Sequence, residues 1–128
     1  MFSASFKQFL TFIAPAVATG QAIFGYGQTY SLTNLVSNTG VVSTDTTGVG
    51  TARYGLAAAG YGTDKAIFGY GHVGATNYSI TNLVSNTGVV ATNTTGVGTA
   101  RYVLAAAGYG TEKAMLGFCF DGAAFSAL

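Results

Sequence analysis

Apolar side chains arrive in short bursts along this chain, and glycine or a polar turn closes each burst. Ala66-Ile67-Phe68 runs into Gly69-Tyr70-Gly71, and the alternating stretch Tyr78 to Ser85 runs into Asn86-Thr87-Gly88. Bursts of this length, with β-branched and aromatic members, predict strands. Asn86 to Gly88 predicts a hairpin turn, because asparagine and glycine tolerate positive φ. The β-branched run from Val89 to Thr95 predicts a further strand, ended by Gly96-Val97-Gly98. Ala100 to Gly110 is a third apolar run, and Thr111-Glu112-Lys113 turns back into Lys113 to Phe118. The Leu-Ala-Ala-Ala-Gly piece inside it has helix-favouring alanines. Seven residues between glycine-marked turns are short for a helix, so it too reads as a strand. The expectation is an all-β chain of up to about ten short strands, with any helix confined to residues 1–20.

The pattern then repeats. Thr33–Gly71 and Thr81–Cys119 are identical at 31 of 39 positions; the exceptions are Ser43/Ala91, Asp45/Asn93, Gly55/Val103, Asp64/Glu112, Ile67/Met115, Phe68/Leu116, Tyr70/Phe118 and Gly71/Cys119. A partial copy, Gln21 to Gly27, matches Lys65 to Gly71, and four fewer residues separate it from its Thr-Asn-Leu-Val segment. A period between 20 and 50 residues marks a repeat architecture. The organisation is therefore an apolar segment over 1–20 and tandem repeats over 21–128: a partial copy at 21–27, units at about 28–71 and 72–119, and a tail at 120–128.

Composition narrows the function classes. Only 7% of the 128 residues are charged, the net charge is +1, and there are 19 glycines against one proline. With no basic cluster, nothing favours nucleic acid. Cys119 is the only cysteine, which excludes an intrachain disulfide framework. The first twenty residues place Lys7 before the apolar run Phe9–Val17 and then Ala16-Val17-Ala18. That order reads as a secretory signal over Met1-Ala18, implying a secreted or surface-exposed protein, or as a capping arm over Met1-Gly20, a short helix or an extended segment covering one end of the body. The run is too short to be a transmembrane helix.

Four short strands per unit of about 48 residues, read from the arginine as Ala52-Arg53-Tyr54 through Gly69-Tyr70-Gly71, resemble the kelch repeat. That motif has an arginine, a small apolar strand, a tight turn and an aliphatic-aromatic strand ending in glycines. The likeness covers roughly Ala22 to Cys119. It departs from kelch in its looser Gly-Tyr-Gly and in lacking the tryptophan usual after the Asn-Thr turn, where Val89 or Val90 stands. The resemblance implies kelch-like β-propeller blades, each of four short antiparallel strands. A propeller closes with four to eight blades, so about 190 residues or more would be needed. The expectation is thus an incomplete propeller, or alternatively an open β-solenoid. Unpaired edges and apolar faces imply self-association or adjoining repeats, with Leu56, Ile67, Phe68, Leu104, Met115 and Leu116 between units.

Candidate chemistry is sparse. The Gly-Tyr-Gly turns at 60–62 and 69–71 read either as adaptable contact surface or as packing between units. His72 is the only histidine, where a metal centre needs several converging ligands. One kelch-like enzyme class holds copper with tyrosines, a cysteine and two histidines, and this chain has one histidine too few. Cys119 is either a reactive thiol or a small apolar residue replacing Gly71. Arg53 with Arg101, and Asp64-Lys65 with Glu112-Lys113, either form a ligand-facing ring or serve as loop anchors and charged turns. Asn77 and Asn93 begin glycosylation patterns. Gly96 to Arg101 lacks the Lys-Ser/Thr pair of a phosphate loop. No catalytic, cofactor or metal residue is assigned, and no cofactor is expected. The leading reading is a non-enzymatic module for protein or glycan interaction, or for surface or fibre structure, belonging to a longer array. Its rivals are part of a propeller-fold enzyme whose active site lies elsewhere and a truncated duplication product.

Overall fold

A computed structural model describes residues 14–17, 21–117, 119–120 and 125–126; most of the apolar N-terminal segment lies outside these. The described chain is all-β, with no helix. Its strands are β1 (Ala14–Val17), β2 (Gln21–Gly25), β3 (Thr33–Val36), β4 (Ala57–Tyr61), β5 (Lys65–Gly69), β6 (His72–Val73), β7 (Thr76–Asn77), β8 (Thr81–Val84), β9 (Ala105–Tyr109), β10 (Lys113–Gly117), β11 (Cys119–Phe120) and β12 (Phe125–Ser126). They form two three-stranded sheets, β1-β2-β3 and β4-β5-β8, and three two-stranded ones, β9-β10, β6-β7 and β11-β12, all antiparallel.

Twelve strands exceed the expected ten because the pairs β6-β7 and β11-β12, two residues per strand, fall in segments read as loop and tail. The alanine-rich piece is extended in both copies, as β4 and β9, since the turns at either end leave no room for a helix. The β-branched run after each Asn-Thr-Gly turn is not a continuous strand. It touches its neighbour through single bridges, Val36 with Val42, Thr33 with Thr46, and Val84 with Val90. Threonine hydroxyls supply the rest of that pairing: Thr33 with Thr46, and Thr81 with Thr94, each meet at 2.6 Å.

Register decides which residues share a face. In the middle sheet Ala66 opposes Val84 and Phe68 opposes Ala58, and these side chains point together. They meet Ile23, Leu35, Tyr26 and Val49 of the first repeat in the principal apolar cluster. The other face of the same sheet turns toward β9-β10. Ala57 and Ala59 are buried there, and glycine makes the approach possible: a Cβ on Gly108 would collide with the Gly60 carbonyl, and one on Gly69 would come within 2.5 Å of the Leu116 side chain. Three units therefore stack in chain order, the middle one covered on both faces.

Of the residues expected between units, Phe68 is buried and Leu56 packs against the core. Met115 departs from expectation. It is 58% exposed, on the face of β10 turned away from the middle sheet, where no described residue covers it. Among the described residues no helix is long and apolar enough to cross a membrane.

Candidate functional site

The groups with most chemical potential gather where one unit meets the next. Arg53, placed just before β4 by the Gly-Val-Gly loop, has no solvent exposure. Its Nε donates to the Tyr70 carbonyl, its Nη1 to the Thr51 carbonyl at 2.9 Å, and its Nη2 to Asn82 Oδ1 at 2.7 Å. The guanidinium also lies 4.8 Å from the centre of the Tyr26 ring, in cation–π range. All three acceptors are neutral oxygens, so a buried charge is held by dipoles and a π face. Burial draws the Arg53 pKa below its ordinary value, with the Tyr26 side chain working the other way. Burial likewise pushes the Tyr26 phenol up, against the influence of Arg53.

Asn82 is equally buried. Its Nδ2 donates to the Ala91 carbonyl and to Asn93 Oδ1, both at 3.0 Å. Asn93 in turn accepts from the Thr51 amide and donates to Thr51 Oγ1. The Asn93 amide is thus committed to holding loops together, which sets it against carrying a glycan. The equivalent Asn34 bonds the Ser43 carbonyl and Asp45 Oδ1 at a more open site. Asn82 belongs to none of the chemical motifs read from the sequence, although its recurrence with Asn34 at one phase of the repeat is the available signal.

The tyrosines of the Gly-Tyr-Gly turns behave alike. Tyr26 and Tyr70 both adopt left-handed backbone conformations, φ 65° and 62°. Each hydroxyl donates to the central carbonyl of a Gly-Val-Gly loop, Tyr26 to Val49 and Tyr70 to Val97, both at 3.0 Å. These rings fasten loops, with the Tyr26 ring also 5.2 Å from that of Phe68. Tyr61, at the end of β4, belongs to the other glycine turn.

His72 stands in an aromatic column. Its ring centre lies 4.0 Å from those of both Tyr54 and Tyr102, and Phe120 meets Tyr102 edge-on at 5.3 Å. Backbone bridges Tyr54–His72 and Tyr102–Phe120 run beside the column. Cys119 is buried and accepts from Arg101 Nη1 at 3.1 Å. Among the described residues no three histidines, cysteines or carboxylates come together to hold a metal ion. Asp64 and Lys65 flank the β4-β5 turn, and Glu112 and Lys113 the β9-β10 turn, where Lys113 Nζ lies 5.7 Å from the Tyr109 ring centre.

Two open grooves run between units. One, of about 230 Å³, is lined by Ser31, Thr46, Thr47 and Thr87 together with Leu35, Val49 and Val90. The other, of about 220 Å³, gathers Phe24, Leu56, Phe68 and Leu104. Compared with models of known protein families and with curated protein sequences, the chain matches none.

Proposed function

We propose that this chain is a non-enzymatic repeat module that mediates protein or glycan contacts, or builds a surface or fibre structure, its 48-residue units stacking like kelch-type propeller blades. The observation that carries this reading is where the recurring polar groups are spent. Arg53, Asn82, Tyr26, Tyr70 and the Thr33–Thr46 and Thr81–Thr94 pairs recur with the repeat, and each bonds a neighbouring segment or unit. Catalytic groups are held free to meet a substrate, whereas these are consumed in joining segments.

Arrays of two to eight copies of the 48-residue unit test the reading. Stacking units gain stability with each copy added. Blades of a ring give a radius of gyration that stops rising once the ring closes at four to eight copies, while an open solenoid lengthens steadily. Stability independent of copy number would overturn the stacking module itself.

A further inference from the structure

The first and middle units have a third strand, and among the described residues the last does not. β2 carries β3 on its outer edge and β5 carries β8, both of sequence Thr-Asn-Leu-Val. Among the described residues nothing pairs with the outer edge of β10, whose only neighbour is β9. An unpaired edge offers its backbone donors and acceptors to an added strand.

The anchoring arginine of the last unit is equally incomplete. Arg53 Nη2 takes Asn82 Oδ1, the second residue of the paired third strand. Arg101, its counterpart, makes one side-chain hydrogen bond among the described residues, Nη1 to Cys119 Sγ. Its buried Nε has no partner there. The free edge and the under-used guanidinium lie in the same unit, as the edge of β5 and Arg53 do in the middle one.

We propose that the edge of β10, together with Arg101, is a binding site for an extended peptide strand of the Thr-Asn-Leu-Val type, presented by another chain. This rests on the reading of the chain as a stacking repeat module and names a partner for it. The middle sheet supplies the register: Thr81 opposes Gly69, Asn82 opposes Phe68, Leu83 opposes Ile67 and Val84 opposes Ala66. A guest strand would place its threonine, asparagine, leucine and valine opposite Gly117, Leu116, Met115 and Ala114. The guest asparagine would accept from Arg101, and its leucine would share the exposed face of Met115. A valine or leucine in place of that asparagine offers no acceptor and leaves the guanidinium unmet. The site therefore selects an amide at one position of the guest and hydrogen-bonds the rest through backbone alone.

The test uses the whole chain and a labelled synthetic peptide spanning residues 78–97, read by fluorescence anisotropy and by amide hydrogen exchange. The expected result is saturable binding with slowed exchange over Lys113–Gly117. Asn82→Ala in the peptide should weaken binding at least about tenfold. Arg101→Met in the chain should weaken it by a similar factor, and combining both changes should add little. Val84→Pro in the peptide, which removes a ladder donor on the side facing the host strand, should also weaken it. Absence of binding at several hundred micromolar overturns the proposal. Equal binding of the Asn82→Ala peptide does so too, as does protection confined to β5 or β8. The peptide variants keep the test decisive if Arg101→Met fails to fold. Since the array experiment reads stacking and not strand capture, the two proposals can fail separately.

Discussion

The middle and last units spell nearly the same sentence and lead different lives. Ala59 in β4 has no solvent exposure, while Ala107 at the same phase of β9 is exposed. Arg53 is sealed in with three hydrogen bonds to side-chain and backbone oxygens, and Arg101 is half-buried with one among the described residues. Sequence identity fixes the conformation of each hairpin, but burial is conferred by the neighbour. A residue's energetic worth in such a chain is a property of its position in the stack.

Paired substitutions sharpen that contrast. The largest effect is expected at the arginines. Arg53→Ala leaves Asn82 Oδ1 and two carbonyls without their donor inside the protein and should cost about 3 kcal/mol or more in chemical denaturation. Arg101→Ala should cost about 1 kcal/mol or less. Equal losses would show that both arginines anchor alike and break the comparison.

The alanines come next. Ala59→Leu adds three heavy atoms to a contact where backbones already meet through glycine, and should destabilise by about 1–3 kcal/mol. Ala107→Leu should fall within about 0.5 kcal/mol of the parent, as at an ordinary surface position. Thermal melts of the two variants decide it.

A smaller effect is expected where the copies differ. Gly55 has φ 63°, and its counterpart Val103 is held at φ 54°. A β-branched residue is a genuine outlier in that region. Val103→Gly removes a left-handed penalty of about 1–2 kcal/mol and adds a glycine's extra chain entropy of about 0.5–1 kcal/mol. A net gain below about 1 kcal/mol should follow, against a loss for Gly55→Val, whose new Cβ would sit 3.2 Å from the His72 ring.

The smallest concerns pH. Burial raises the Tyr26 phenol above its unfolded value, so the folded state holds its proton longer than the unfolded state does. Its contribution is present below the ordinary phenol value of about 10 and is lost as pH climbs through the raised one. Tyr26→Phe should therefore flatten the fall in stability above about pH 10 relative to the parent. An unchanged slope would remove Tyr26 from the alkaline transition.

The repeat and the all-β class were legible in the sequence because they are local. Glycine-bounded apolar runs give β2, β4, β5, β8, β9 and β10, and the Asn-Thr-Gly turn carries its own positive-φ glycine, 81° at Gly40 and 79° at Gly88. The Val89–Thr95 run misled because its β-branched residues suit a strand. Yet its backbone meets β8 only at separate points, Ala91 on Leu83 and Thr94 on Thr81, with the Thr94 hydroxyl taking the Thr81 amide. Met115 misled for the opposite reason. Its type and phase match Ile67, and only the missing neighbour separates the two. The Arg53–Asn82 bond joins residues 29 apart, and no local pattern announces it.

Gly71 has a consequence for how the chain finds its threading. With 31 of 39 positions shared, sliding the sequence by one repeat relays almost every side chain into an equivalent environment, so two addresses compete for each unit. Gly71 discriminates between them. Its φ is 101°, and a Cβ there would lie 2.9 Å from the Tyr54 carbonyl oxygen and 3.0 Å from the Leu56 side chain. The copy ending in Cys119 cannot occupy that place without pushing the Tyr54–Leu56 backbone aside. One hydrogen atom in place of a side chain thus acts as a postal code, sending the second copy to the middle of the stack and the third to its end.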